Sequence, residues 1–342
     1  MELSSVSLQK TISVLFVTTL FFTGCSTKKV YEPKDIKDSW SAYGYRDSEI
    51  VDVSSNVALL EDNKLLLKGK KIPLDLKNLS KDARVLGEVD GVILTATIDG
   101  RLTLIDRHNP THREVFELKK TIATASVDEN LVAVLFADNE IALYDRTTKE
   151  LLFKESGSKA TVVDAKMAMP HFMKNLVIFA TLDGKIIIVN SDLKKRLRSV
   201  LVSSNDKFNN IIYFNIVDGK IIAATDSALL SLAREEKRAE YEIRDIAYDG
   251  ELLYLTTKQG EVVALNSDLE EQAKKKFPFA HFLAFIVDGD KIYLLEKEGY
   301  MIVLNKDFKK YSVYDVDIDE GYIFVDNKRF YISDEYIDIK QK

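Results

Sequence analysis

The sequence predicts an all-β fold, a β-propeller of four-stranded blades, and three observations carry that prediction. A hairpin-like unit recurs along most of the chain, turn-forming residues return at a fixed offset inside it, and the runs between turns are rich in Val, Ile and Tyr with a period of two. Each unit is an apolar β-branched run, a tight polar turn and a second apolar run. The clearest copy runs through 92–98, turns at Asp99-Gly100 and continues through 101–106. The same reading places turns at Asp62-Asn63, Asp138-Asn139, Asp183-Gly184, Asp226-Ser227, Gln259-Gly260, Glu298-Gly299 and Asp326-Asn327. Gly and Asn in the second position accept the positive φ that two-residue hairpin turns demand. Eight hairpins result.

Six residues beyond the second turn residue lie Gly69, Asp106, Asp145, Asn190, Asn266, Asn305 and Ser333, all turn formers, with Ala233 the exception. Asp and Asn there can accept from backbone amides two residues on and so reverse the chain at the strand end. Another strand-like segment precedes each hairpin, as in 121–127, 161–165, 211–217 and 283–287. A more polar one follows most of them, as in 113–118, 149–154, 195–202 and 272–277. Four strands per unit follow. Successive turns lie 28 to 45 residues apart, close to the roughly 40–45 residues of a propeller blade. The short last step predicts one unit without a full outer strand. Seven or eight blades both fit, and eight is favoured.

Composition narrows the class. A hydrophobic fraction of 46% with a net charge of only −6 is incompatible with a disordered chain. The mild acidity argues against nucleic acid as a partner. A single cysteine, Cys25, makes neither an internal disulfide nor a thiolate zinc site. Length alone permits two domains, and the repeat argues for one, over 48–340.

The first residues read as an export signal. Lys10 precedes an uncharged run from Thr11 to Thr23, too short for a membrane-spanning helix of roughly 20 residues but suited to a signal-peptide core. Its end, Phe22-Thr23-Gly24-Cys25, resembles the lipobox of bacterial lipoproteins, with Phe22 where Leu is usual. The resemblance implies a signal peptide over 1–24, cleavage before Cys25 and acylation of its thiol, including palmitate. It also implies, with Ser26 next, an outer-membrane anchor. From Ser26 to about Asp47 the chain is charged and without an apolar stripe. Residues 25–47 are therefore expected to form a lipidated tether, its aromatic Trp40, Tyr43 and Tyr45 pinning it to the domain.

The repeat resembles that of quinoprotein-like (PQQ-like) propellers. Asp99-Gly100-Arg101-Leu102-Thr103-Leu104-Ile105-Asp106 matches the first half of that pattern. The run from Leu143 to Phe153 matches the second, with Thr148 where Gly is usual, and Gly260 to Asn266 is the best central match. A lipidated eight-bladed propeller of this kind resembles the BamB family, accessory lipoproteins of the outer-membrane β-barrel assembly machine. Blades of that family often end in Trp; here the single Trp40 lies outside them, and Phe116, Phe153 and Phe277 are expected to take that place.

No catalytic, cofactor-binding or metal-binding residue is predicted. Quinone-cofactor enzymes with this repeat need a tryptophan-rich scaffold, a calcium site and often an adjacent cysteine pair, of which this chain has almost nothing. His108 and His112 have i, i+4 spacing, but Asn109-Pro110 between them makes a loop. His171 lies in the Met-rich run 167–173, read as loop packing although copper is conceivable there. Asp315, Asp317 and Asp319 suggest a calcium loop but lack its Gly and Glu; their alternation with Val316 and Ile318 reads as a half-exposed strand. Lys274–Lys276 reads as a solvated rim strand. The function expected is a periplasm-facing, lipid-anchored scaffold that binds proteins through its loop faces, most concretely in outer-membrane protein assembly. A surface-exposed adhesion or ligand-binding lipoprotein is the alternative, and a quinone-cofactor oxidoreductase a remote one.

Overall fold

The computed structural model describes residues 29–69, 74–76, 79–160, 162–204 and 208–340. Their strands form eight four-stranded antiparallel sheets, the blades of one propeller. Blades 1 to 7 span 50–75, 84–117, 122–156, 171–201, 213–240, 243–276 and 282–315, each with strands a to d in chain order. First strands of neighbouring blades touch around the axis. Strand order therefore sends a–b and c–d turns to one face, here the back. The b–c turns and the d–a connections between blades lie on the other, the front.

Strands b and c are buried almost throughout because their side chains alternate into two neighbouring blades. Leu94, Leu102 and Leu104 of blade 2 pack with Val132, Val134 and Phe136 of blade 3; Val262 and Ala264 of blade 6 pack with Leu294, Ile302 and Leu304 of blade 7. Phe116 and Phe277, at the ends of the fourth strands of blades 2 and 6, are buried in these seams. The predicted turn side chains act as read: Asp106, Asp145, Asn190 and Asn266 accept from backbone amides two or three residues on. The left-handed residue of blade 3's c–d turn is Lys149, at φ +62°, one position after Thr148.

Four expectations need correction. Asp326-Asn327 joins strands a (Ile323–Val325) and b (Arg329–Ile332) of blade 8, not b and c. The central hairpin turns instead at Ser333-Asp334, between strand b and strand c (Glu335–Asp338). Blade 8 also has its outer strand: Tyr43–Tyr45 pairs antiparallel with strand c and closes the ring with residues from the other end of the chain. The expected strand at 161–165 is absent among its described residues, and blade 4's inner strand is His171–Met173. Pro170, without an N–H to donate, stops the ladder from extending further. Finally, strand d of blade 7 ends at Asp315, so Asp317 and Asp319 lie in the connection to blade 8.

The segment before the closing strand is bound along the rim. Tyr31 is buried edge-on to Phe277 and Tyr300, with ring centroids 6.2 and 5.9 Å away. Residues 37–40 bond to blade 7's outer strand: the Lys37 amide donates to Val313 O at 2.9 Å, Trp40 to Asp315 O at 2.7 Å, and Asp315 to Asp38 O at 3.1 Å. Trp40 is buried against Tyr314 and Tyr293 and donates its indole N–H to Asp338 O at 2.8 Å. Tyr43 and Tyr45 are exposed and attach through their backbone.

Candidate interaction face

The front face is built by eight b–c turns and the connections between blades. Asn139 shows how one turn positions the next: at φ +67° and buried, it accepts from the Leu182 amide at 2.8 Å and donates to Ser158 O at 2.7 Å. It thus ties blade 3 to the turn of blade 4 and to the start of an unusually long connection, residues 157–170.

That connection crosses the axial channel. Lys166 Nζ donates to Arg244 O at 3.0 Å and to Asp245 Oδ1 at 2.9 Å, on the inner strand of blade 6. Three residues on, Met169 lies against Gly87 of blade 2, on the opposite side, so close that a Cβ there would sit 2.4 Å from its sulfur. Asn210, fully buried in the blade 4–5 connection, clamps this strap. It accepts from the Asp164 amide at 2.7 Å and donates to Asp164 O at 3.2 Å and Lys166 O at 2.8 Å. Nothing in the sequence pattern marked Asn210, since a single buried Asn in a polar loop carries no periodic signal.

Inner strands of blades 1, 2, 3, 6 and 7 share a register shift near their front ends. In blade 6 the unpaired residue at this shift is Arg244, whose Nε is buried without a hydrogen-bond partner among the described residues. Burial pushes its guanidinium pKa down, with Asp164 opposing. Each such shift bends the strand and re-aims one side chain.

Apolar groups are distributed unevenly between the faces. Ile98 on a b–c turn and Val162, Phe208, Phe279 and Tyr322 on connections are exposed at the front, Ile98 by 76%. Val162 and Phe208 sit side by side, the Phe208 amide donating to Val162 O at 3.2 Å. The back offers Leu193 on a turn, with Met173 and Leu151 at strand ends, within a fringe of ion pairs such as Arg107–Glu88 at 3.0 Å and Lys306–Asp249 at 2.5 Å. A shallow depression of about 290 Å³ there is lined by Lys220, Lys237 and Asp268, which pair with one another.

The remaining sequence candidates fall as follows. Cys25 lies outside the described residues. His108 and His112 occupy the c–d turn of blade 2, His108 3.4 Å from Arg107. His171 lies tilted against Phe214, ring centroids 5.4 Å apart, and burial lowers its pKa. Among the described residues no three His, Cys, Asp or Glu side chains converge on a metal-sized site. Lys274 and Lys276 face Glu261 at 3.8 Å on the rim, and Lys275 covers the Tyr311 ring. Apolar anchors inside a polar surround suit contact with a folded macromolecule.

The chain matches no protein-family model. It is 29% identical over 317 residues to a plasminogen-binding protein PgbB of Helicobacter pylori strain J99, covering 80% of this chain and 58% of that protein. Against PgbB of strain 26695 identity is 29% over 387 residues, 97% of this chain and 71% of the relative. Among solved structures, BamB from Moraxella catarrhalis superposes with a TM-score of 0.63 at 16% identity, covering 87% of this chain and 98% of that one. The C-terminal WD40 domain of Sif2 gives 0.63 at 12% identity over 90% and 100%. The computationally designed Ika8 protein gives 0.60 at 13% identity, covering 89% and 100%. The fold is thus the eight-bladed propeller that the repeat predicted, shared with BamB.

Proposed function

We propose that this chain is a non-enzymatic, lipid-anchored propeller of the bacterial outer membrane that captures a folded protein on its front face. The observation that carries the reading is the presence of exposed Ile98, Val162, Phe208 and Tyr322 on that face. A few well-packed anchors, aromatic ones above all, carry most of the affinity of a protein interface when a surround of near-neutral contacts excludes water. Cys25 would hold the protein at the membrane through its lipid.

The identity along 80–97% of the chain to proteins named for plasminogen binding supports a soluble protein of that class as the captured partner, at the cell surface. The shared BamB fold supports a second reading, a periplasm-facing accessory role in outer-membrane barrel assembly. Cross-linking in the native envelope, paired with binding of purified plasminogen to the isolated protein, separates them. Saturable plasminogen binding and protease sensitivity in intact cells are expected for the first. Recovery of the barrel-assembly subunit, with protection in intact cells, would replace it with the second. Capture of neither protein on the front face would overturn both.

A further inference from the structure

We infer that one edge of the propeller, where blades 6 and 7 meet on the front face, is a membrane-contact surface that holds the ring edge-on to a phospholipid bilayer. The inference rests on the proposed lipid anchor at Cys25 and adds the orientation that the anchor imposes.

A free tether of residues 25–47 would let the ring tumble. The described residues remove that freedom, because the chain is fastened to the rim from Lys29 onward. Lys29 Nζ lies over the Phe279 ring at 5.3 Å, Tyr31 is buried beside Phe277, and 37–40 bond to blade 7's outer strand. Only three residues separate Lys29 from Cys25; the four Cα-to-Cα steps between them, fully extended, reach about 14 Å. A lipid on Cys25 therefore keeps this edge within about that distance of the bilayer surface.

The surface at that point fits its occupant. Phe279 is 55% exposed and sits at φ +65°, a conformation unfavourable for a bulky side chain. Val30, exposed by 39%, adjoins Lys29 in the chain. Lys276 ends the outer strand of blade 6, and Lys297 stands on the neighbouring turn of blade 7 beside Glu298. An aromatic ring with the Lys29 ammonium over it, next in the chain to exposed Val30, matches the apolar-beneath-polar layering of a bilayer interface. Ile98 belongs to blade 2, diametrically opposite in an eight-bladed ring, and edge-on contact leaves it facing solvent with Val162 and Phe208.

The test uses the full chain. Acylation occupies the thiol of Cys25, so a second cysteine introduced by Phe279→Cys, Lys297→Cys, Ile98→Cys or Leu193→Cys carries a fluorophore alone. The mature protein is reconstituted in phosphatidylethanolamine–phosphatidylglycerol vesicles containing a headgroup nitroxide lipid. Quenching at 279 and 297 is expected to exceed that at 98 and 193 at least threefold. Equal quenching at all four positions in an acylated, vesicle-bound protein overturns the orientation and leaves the anchor standing. Quenching at 98 as strong as at 279, with 193 unquenched, also overturns it, because the ring would then lie face-down. A mature chain whose intact mass lacks the lipid overturns the anchor and this inference together.

Discussion

Gly44 is the residue on which ring closure can be tested most sharply. It sits in the closing strand opposite Tyr336, and a Cβ added there would lie 2.5 Å from the Tyr336 hydroxyl and 2.6 Å from the adjoining ring carbon. The ring cannot swing away freely, since Arg329 lies over it at 4.5 Å and Tyr331 beside it at 6.2 Å. Strand propensity alone favours Gly44→Val; packing opposes it. Overpacking a filled site costs about 1–3 kcal/mol, and each ladder hydrogen bond that loosens adds about 1 kcal/mol. The expected loss is about 3 kcal/mol, a fall of about 1 M in urea midpoint for a slope near 3 kcal/mol per M. Trp40 is the only tryptophan and lies four residues upstream in the same segment. Its emission should therefore shift to the red and become accessible to acrylamide. In a Tyr336→Ala background the same substitution should cost less than about 1 kcal/mol, because the clashing ring is gone. An undiminished cost in that background, or an unchanged midpoint and Trp40 accessibility, would refute the reasoning.

Three other substitutions probe the strap, one seam and one turn. Asn210→Ala removes three hydrogen bonds to Asp164 and Lys166; a loss of about 3 kcal/mol is expected, with faster amide exchange in 162–169 by mass spectrometry. Glu114 receives a two-pronged pair from Arg146 of the next blade at 2.6 and 3.0 Å, which holds its carboxyl below the usual 4.5. A depressed folded pKa stabilises above the unfolded value and ceases to do so as pH falls through the folded one. Glu114→Gln should therefore destabilise by about 1 kcal/mol at pH 7, with the gap closing below the carboxylate range in urea titrations. Lys194 occupies the left-handed position of blade 4's c–d turn at φ +51°; Lys194→Gly should raise stability by about 0.5–1 kcal/mol in the same assay.

Blade number and strand order were legible because period-two apolar runs and turn residues at fixed offset both repeat. The phase of the last blade was not. Asp90-Gly91, Asp218-Gly219 and Asp249-Gly250 turn a–b hairpins with the same residue types as the b–c turns, so turn chemistry identifies a reversal without saying which one. Tyr43 and Tyr45 read only as aromatic attachments and not as a strand, because three residues around a glycine make no periodic signal and the partner strand is nearly 300 residues away. Of the three aromatic residues expected to pin the tether, Trp40 does so through its buried side chain. The strap, the Asn210 clamp and the unpaired Arg244 depend on where a non-repeating connection lands. Pro170 marks only where that connection ends.

The central claim is that the front face binds a folded protein. A photo-reactive amino acid placed at Ile98 or Phe208 on that face, and at Leu193 on the back, tests it directly in the native envelope. The account predicts a discrete protein adduct from 98 and 208 and none from 193. Adducts from 193 alone, or none from 98 and 208 in a correctly localised protein, would contradict it.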